Sequence, residues 1–493
     1  MLNTLASFTS FVIASAVLDS VIAGPVFLSP VQDIILPSSD TATSPLTQLG
    51  ANSPWFAGPN ISGESNDIPE GCTIENAAYV VRHGSRYPDS GAYAEWTALY
   101  TKIQSSSFTA SGPLSFLASW KPVLTNPTLQ IAKESPTGYK EAFDLGYRLR
   151  TRYPSLYEVG SPFIAWANLV PRVVETAQNF VRGFLGAQAS VLGSVITVNS
   201  TGSADAVFNS LGPSDQCPAF KDGNGGSNLT TWNSIYLPPI LARLSPFITG
   251  NLTLTTSDLS IFPYLCGFES QITGTLSPWC NIFTDAELLQ YSYAQDLRYY
   301  YGIGDGTDLQ SKMMLPFLHS LVTRLALGKG QKGVNAKGEE FKVPDLLTLF
   351  LNDGQLVELV AATDVMADAE VLDGNRLPGP EWKYRASRFV SMRGTVAFEN
   401  LKCLSGNYIR VLLNDAVYPH PLCANGPGKS CETGKYVKLV ASKLSQAGDL
   451  RAKCGIKSVS GNGTFGDGSA RVAGKGAGFV GDLRGGWLGS VVP

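Results

Sequence analysis

Two short apolar runs stop where polar chemistry begins. Residues 73–81 contain Ala77-Ala78-Tyr79-Val80-Val81, and residues 346–351 are Leu-Leu-Thr-Leu-Phe-Leu. Continuous apolar runs of this length predict strands buried on both faces of an α/β sheet. Helical patterning follows the second run over 356–365 and also covers 313–325. Residues 2–18 are almost wholly apolar or small, and the first charge is Asp19, followed by Val21-Ile22-Ala23-Gly24. That pattern predicts a secretory signal peptide cut between Ala16 and Gly24, although no Lys or Arg precedes the apolar stretch; the competing reading is a buried N-terminal helix. No later stretch reaches the ~18 apolar residues of a membrane span. The chain turns Gly-rich over 458–493, which predicts a flexible appendage, and residues 37–52 form a Ser/Thr/Pro-rich approach to the first core element.

Composition narrows this picture. A chain of 493 residues is long for one core, so two associated domains are expected. Lys+Arg 37 against Asp+Glu 40 lacks the basic excess a general nucleic-acid binder needs, and no nucleic-acid or membrane partner is expected. Charged residues make up only 16%, so surface solubility needs another source. Glycans would supply it, and Asn-x-Ser/Thr sequons stand at Asn60, Asn199, Asn228, Asn251 and Asn462. Eight cysteines in a chain with an export signal predict four disulfides, which from spacing alone allow about 105 pairings. With no CxxC pair and three histidines in the whole chain, a structural zinc site is disfavoured.

The first apolar run ends in Arg82-His83-Gly84-Ser85-Arg86-Tyr87-Pro88. Two arginines and a histidine at a strand's carboxyl end would lie in the crevice where α/β sheets bind ligands. Arginine's planar fork matches a phosphate bidentately, Gly84 permits close backbone approach, and Pro88 stiffens the exit. A solvated loop explains any one of these residues, not the set. The second run ends in Asn352-Asp353-Gly354-Gln355, which puts Asp353 at a strand end and a helix N-terminus, a place that also favours anions. Other candidates are weaker. His319 and His420 read as structural, Gly302-x-Gly304-x-Gly306 follows a Tyr-rich helix rather than a strand, and Glu339-Glu340 reads as a solvated face.

Arg82-His83-Gly84-x-Arg86-x-Pro88 resembles the signature of the histidine acid phosphatases, the branch of the histidine phosphatase superfamily that includes fungal phytases. Collinear segments extend the likeness over about residues 48–454: Ser53-Pro54-Trp55-Phe56, the segment 138–153, Arg172-Val173-x-x-Thr176-Ala177, and Ser277-Pro278-Trp279-Cys280 through Tyr299-Tyr300-Tyr301-Gly302. The resemblance implies a phosphoglycerate-mutase-like α/β domain (48–184 and 316–457) with an inserted, smaller, mostly helical domain (185–315). A signal peptide (1–23), an approach segment (24–47) and the tail (458–493) complete the chain. It implies the pairs Cys72 with Cys403, Cys217 with Cys454, Cys266 with Cys280, and Cys423 with Cys431. It also implies a phosphomonoester hydrolase without metal or cofactor, acting on small-molecule phosphomonoesters, inositol phosphates among them, and secreted. In that scheme Arg82, Arg86, Arg172 and Asn352 bind the phosphoryl group, His83 is the nucleophile, and Asp353 protonates the leaving oxygen. The family carries His-Asp where this chain has Asn352-Asp353, so one phosphate contact loses its charge. Two alternatives stay open: a broad acid phosphatase with little phytate preference, suggested by acidic Asp89 and Glu95 after the signature, and a catalytically weak phosphate binder, suggested by Asn352.

Overall fold

The computed structural model describes residues 44–198, 211–334, 340–368, 370–379 and 382–456. The expected signal peptide, most of the approach segment, Glu339, the sequons Asn199 and Asn462, and the Gly-rich tail lie outside the described residues.

Both apolar runs are strands of one eight-stranded sheet. Its members are β1 (Cys72–Arg82), β2 (Phe163–Asn168), β3 (Gly193–Val198), β4 (Leu346–Leu351), β5 (Thr395–Cys403), β6 (Gly406–Leu413), β7 (Ala416–Val417) and β8 (Cys431–Glu432). The spatial order is β7-β6-β5-β1-β4-β2-β3, with β8 also paired to β6. Strands β1, β4, β2 and β3 run parallel, whereas β5 joins β1 antiparallel. Register sets Arg82 beside Leu351, so the polar residues that follow each strand emerge at one edge. That is the crevice in which parallel sheets present ligand-binding groups.

The apolar runs are continuous because both faces of the sheet are covered. Ala77, Tyr79 and Val81 alternate toward one core with Phe350, Val173 and Phe180, and Ala78 and Val80 toward the other with Leu349, Leu318 and Leu356. The first core is closed by α2 (Pro136–Arg152) and α3 (Pro171–Leu185), which follows α1 (Ser90–Gln104) and α2 in the chain. These two helices meet at glycines. A Cβ on Gly146 would stand 2.1 Å from the Phe180 carbonyl oxygen, and one on Gly183 would stand 2.0 Å from that of Phe143.

A helical lobe follows, containing α4 (Gly226–Leu244), α5 (Thr256–Thr273) and α6 (Asp285–Tyr300), before α7 (Leu315–Ala326), α8 (Asp353–Thr363) and α9 (Thr433–Ala447) return to the sheet. Capping boxes at Thr255/Asp258 and Thr284/Glu287 start α5 and α6 by satisfying their first amides. The expected insertion at 185–315 differs from this arrangement at two points. Gly193–Val198 is a strand of the main sheet, paired in parallel with β2, because its alternate buried residues extend the sheet's core. The lobe also recruits residues before 185: Phe108–Ala110 pairs with Ile248–Gly250, and Trp120 Nε1 donates to Glu269 Oε1 at 2.7 Å.

All eight cysteines are bonded as Cys72–Cys403, Cys217–Cys454, Cys266–Cys280 and Cys423–Cys431, the pairing the resemblance implies. The first ties β1 to β5, and the second ties the lobe's start to the end of the described chain. Asn60 and Asn251 are exposed, whereas Asn228 is half-buried in α4 with its Oδ1 accepting from the Gly374 amide at 3.3 Å. Among the described residues no helix is long and apolar enough to cross a membrane.

Candidate active site

The residues after β1, after β4 and at the start of α3 converge at the parallel strand ends. Arg82, the last residue of β1, is 2% exposed and anchored by its own Nη1, which donates to the Ala51 carbonyl at 2.8 Å and to that of Val390. Its Nη2 points to Asp353 Oδ2 at 3.8 Å. Arg86 donates through Nη1 to the Tyr87 carbonyl at 2.9 Å, sits 5.5 Å above the Phe268 ring, and meets Asp89 at 3.4 Å. Arg172 extends from the first turn of α3, where Nη2 donates to Asn352 Oδ1 at 3.1 Å. Each of these three arginines keeps a buried Nε with no hydrogen-bond partner among the described residues. A buried donor without a partner costs about 1–3 kcal/mol, so three of them on neighbouring arginines are a costly arrangement unless an anion's oxygens accept from this cluster.

His83 is 1% exposed and held on both sides of its peptide: its amide donates to the Leu351 carbonyl at 3.1 Å, and the Arg393 amide donates to its carbonyl at 2.7 Å. Its Nδ1–H donates to the Gly84 carbonyl at 2.8 Å, leaving the Nε2 lone pair free. Burial, then the cations Arg82, Arg172 and Arg86, push the imidazole well below its ordinary value, so it stays neutral in acid. Burial also lowers Arg172 to about 10, reinforced by Arg86, which leaves it cationic across the acid range.

Asp353 opens α8, with Asn352 as the N-cap residue. Tyr299, at the end of α6, donates its hydroxyl to Asp353 Oδ2 at 2.9 Å, so the carboxylate is held jointly by the sheet and the helical lobe. Burial favours its neutral form, but Arg82, the Tyr299 bond and Arg86 outweigh this and hold the carboxyl below the usual range. The six predicted site residues, Arg82, His83, Arg86, Arg172, Asn352 and Asp353, thus stand together. His319 lies half-buried on α7, and His420 is packed edge-on against Tyr436 with its Nδ1 accepting from the Leu422 amide, neither joining the site. Among the described residues no three His, Cys, Asp or Glu side chains converge as metal ligands.

A supporting layer escaped the sequence reading. Glu141 accepts from the amide of Ser85 at 2.8 Å, from its hydroxyl at 2.9 Å and from the Trp55 amide at 3.1 Å, which clamps the signature loop to the Ser-Pro-Trp-Phe segment. Arg393 lies 3.7 Å over the Trp55 ring and adopts φ +57°, the left-handed turn that aims its amide at His83. Gly84 is needed for a different close approach from the one expected. A Cβ there would stand 2.4 Å from Glu134 Oε1 and 2.8 Å from the Gly138 carbonyl oxygen, so its bareness lets α2 reach the loop. None of Glu134, Glu141 or Arg393 carries a local sequence signal. Tyr299 and Thr176 lay inside recognisable motifs without showing their bonds.

A sequence profile of the histidine phosphatase superfamily (branch 2) matches residues 73–414, which include all six predicted site residues. The chain belongs to that family. A phytase of Candida albicans is 31% identical over 422 residues, covering 84% of this chain and 87% of the relative. An acid phosphatase of Saccharomyces cerevisiae is 28% identical over 449 residues, covering 89% and 92%. The crystal structure of the phytase from D. castellii superposes with a TM-score of 0.76 at 26% identity over 88% of this chain and 93% of that one. This histidine phosphatase is therefore a hydrolase of the acid phosphatase and phytase kind. A multiple inositol polyphosphate phosphatase of Bifidobacterium longum, 12% identical with a TM-score of 0.59, shares the fold.

Proposed function

We propose that this histidine phosphatase hydrolyses phosphomonoesters through a phosphohistidine, in a secreted, acid-working enzyme of two lobes with the site between them. The observation that carries this reading is the buried His83, its ring oriented by the Gly84 carbonyl, among three arginines that each keep an unpartnered buried Nε–H, with Asp353 3.8 Å from Arg82. Arg82, Arg86 and Arg172 bind the phosphoryl oxygens, and stabilising the charge of the transition state supplies most of the rate. Asn352 orients Arg172 through its amide oxygen, and its NH₂ is the remaining donor toward phosphate. His83 Nε2 attacks phosphorus, the P–O(ester) bond breaks, and its electron pair takes the proton of Asp353. Ionised Asp353 then removes a proton from the water that attacks the phosphohistidine, which releases phosphate and restores neutral His83.

The depressed pKa of Asp353 fits this cycle. The arginines that lower it are the groups a phosphate dianion neutralises, so substrate binding raises the proton affinity of the acid when it must donate. A monoanionic substrate brings the proton with it.

Inositol phosphates are the first substrate class, by likeness to the phytases named above. A broad acid phosphatase is the second reading, favoured by Asp89 beside Arg86 and by the pairing of Arg298 with Asp222 at 2.6 and 3.0 Å next to Tyr299, so that both of these cations already have a carboxylate partner. Phosphate release from phytate, a sugar phosphate and an aryl phosphate separates these readings at about pH 4–6. Strong phytate preference fixes the first, even rates the second, and silence on all three favours a pure binder. His83→Ala with undiminished turnover would sink the mechanism.

A further inference from the structure

Glu134 is a carboxyl that the mechanism does not use, placed against the nucleophile's loop. It is 1% exposed, and its Oε1 is the atom that a Cβ on Gly84 would strike. Its side-chain bonds are to neutral partners: Thr176 Oγ1 at 2.7 Å and Asn179 Nδ2 at 3.3 Å. The nearby cations are engaged elsewhere, Lys133 with Glu175 at 3.8 Å and Arg182 with Asn179 Oδ1 at 3.0 Å.

The Thr176 hydroxyl decides the proton count. It has three polar neighbours: the Gly84 amide at 2.9 Å, the Arg172 carbonyl at 2.8 Å and Glu134 Oε1. A hydroxyl donates once and accepts twice. The amide can only donate and the carbonyl can only accept, so beside an ionised Glu134 the one hydroxyl proton serves either Arg172 or Glu134, not both. All three contacts are hydrogen bonds at once only when Glu134 brings its own proton and donates it to Thr176 Oγ1. Burial without a paired cation favours the same neutral form, and the acids Glu175 and Glu141 add to it.

We propose that Glu134, as a neutral carboxylic acid, and Thr176 are positioning residues of the phosphate pocket: the Glu134 O–H fixes the Thr176 hydroxyl, which braces the Gly84 amide beside the nucleophile and the Arg172 carbonyl beneath the third arginine. This rests on the phosphatase reading above. One side chain thereby locks the loop that carries His83 to the helix that carries Arg172. Ionising Glu134 turns the Thr176 proton away from Arg172 and places a negative charge behind an anion site. The charged and titratable groups facing Glu134 are Glu175, Arg172 and Arg182 on α3, Glu141 and Tyr139 on α2, His83 and Arg86 on the signature loop, and Lys133 beside it. The outcome is a brace that holds in acid and fails as the pH rises.

The test is the pH profile of kcat/KM on an aryl phosphate for wild type, Glu134→Gln, Thr176→Val and Thr176→Ser. Glutamine cannot ionise and its NH₂ still donates to Thr176, so the ratio of kcat/KM at about pH 7 to that at about pH 4.5 rises about tenfold over wild type, the effect of one unit's displacement. Thr176→Val lowers kcat/KM by more than about tenfold throughout, and Thr176→Ser, which restores the hydroxyl, recovers most of it. Infrared difference spectra give a readout independent of turnover: the carbonyl stretch of a protonated buried carboxylic acid is present in wild type at about pH 5.5, where an ordinary glutamate is ionised, fades toward about pH 7, and is absent in Glu134→Gln. A Glu134→Gln profile superimposable on wild type, a fully active Thr176→Val, or no protonated-acid band overturns the proposal. An inactive wild type would instead remove the phosphatase reading beneath it.

Discussion

Tyr299→Phe tests how Asp353, the proposed proton donor, is set. The substitution removes one hydroxyl from a side chain that is 5% exposed, and with it the 2.9 Å bond to Asp353 Oδ2. A hydrogen bond to a charged group contributes about 1.5–3 kcal/mol, and the carboxylate is 33% exposed, so solvent screening points to the lower end. About 1.4 kcal/mol is one pKa unit. The sign follows from the bond: Tyr299 stabilises ionised Asp353, so its loss raises the proton affinity of the acid and moves the pH at which the protonated donor disappears upward by about one unit. The alkaline limb of kcat should move up accordingly. Loss of orientation should also lower kcat at the optimum by about three- to tenfold. Both effects should be larger for an alkyl phosphate, whose poor leaving group needs the proton, than for an aryl phosphate. The assay is kcat against pH on the two substrates. Identical profiles, a shift toward acid, or equal effects on both substrates would refute the assignment of Asp353 as leaving-group acid held by Tyr299.

Two further substitutions probe the pocket and its frame. Asn352→His adds a titratable donor where an amide now accepts from Arg172, so inhibition by orthophosphate should tighten by about three- to tenfold at about pH 4.5 and fade toward neutrality; an inhibition constant unchanged at both pH values would show that the amide already suffices. Gly146→Ala forces a methyl group to within 2.1 Å of the Phe180 carbonyl oxygen, so α2 and α3 must separate. Overpacking of this kind costs about 1–3 kcal/mol or more, read as a lower unfolding midpoint, and kcat/KM should fall with it because α2 carries Glu141 and α3 carries Arg172.

Much of this protein is legible along the chain. Strands β1 and β4 show in continuous apolar runs, because burial on both faces removes the polar half of the strand pattern. The proposed site shows because Arg82, His83, Arg172 and Asp353 each stand at a strand end or first helical turn, where local sequence and position coincide. Other features depend on distance in the fold. Gly193–Val198 joins the main sheet although sequence order puts it with the lobe, since pairing with β2 is a contact between separate segments. Tyr299 reaches Asp353 across 54 positions, Thr176 reaches Gly84 across 92, and Glu134 presses on a glycine whose role looks different until α2 is docked. The residues alone determined which chemistry is present, because reactive groups are a matter of type and short spacing. Tertiary structure alone decided their protonation and aim, because burial, neighbouring charge and hydrogen-bond count belong to the packed site.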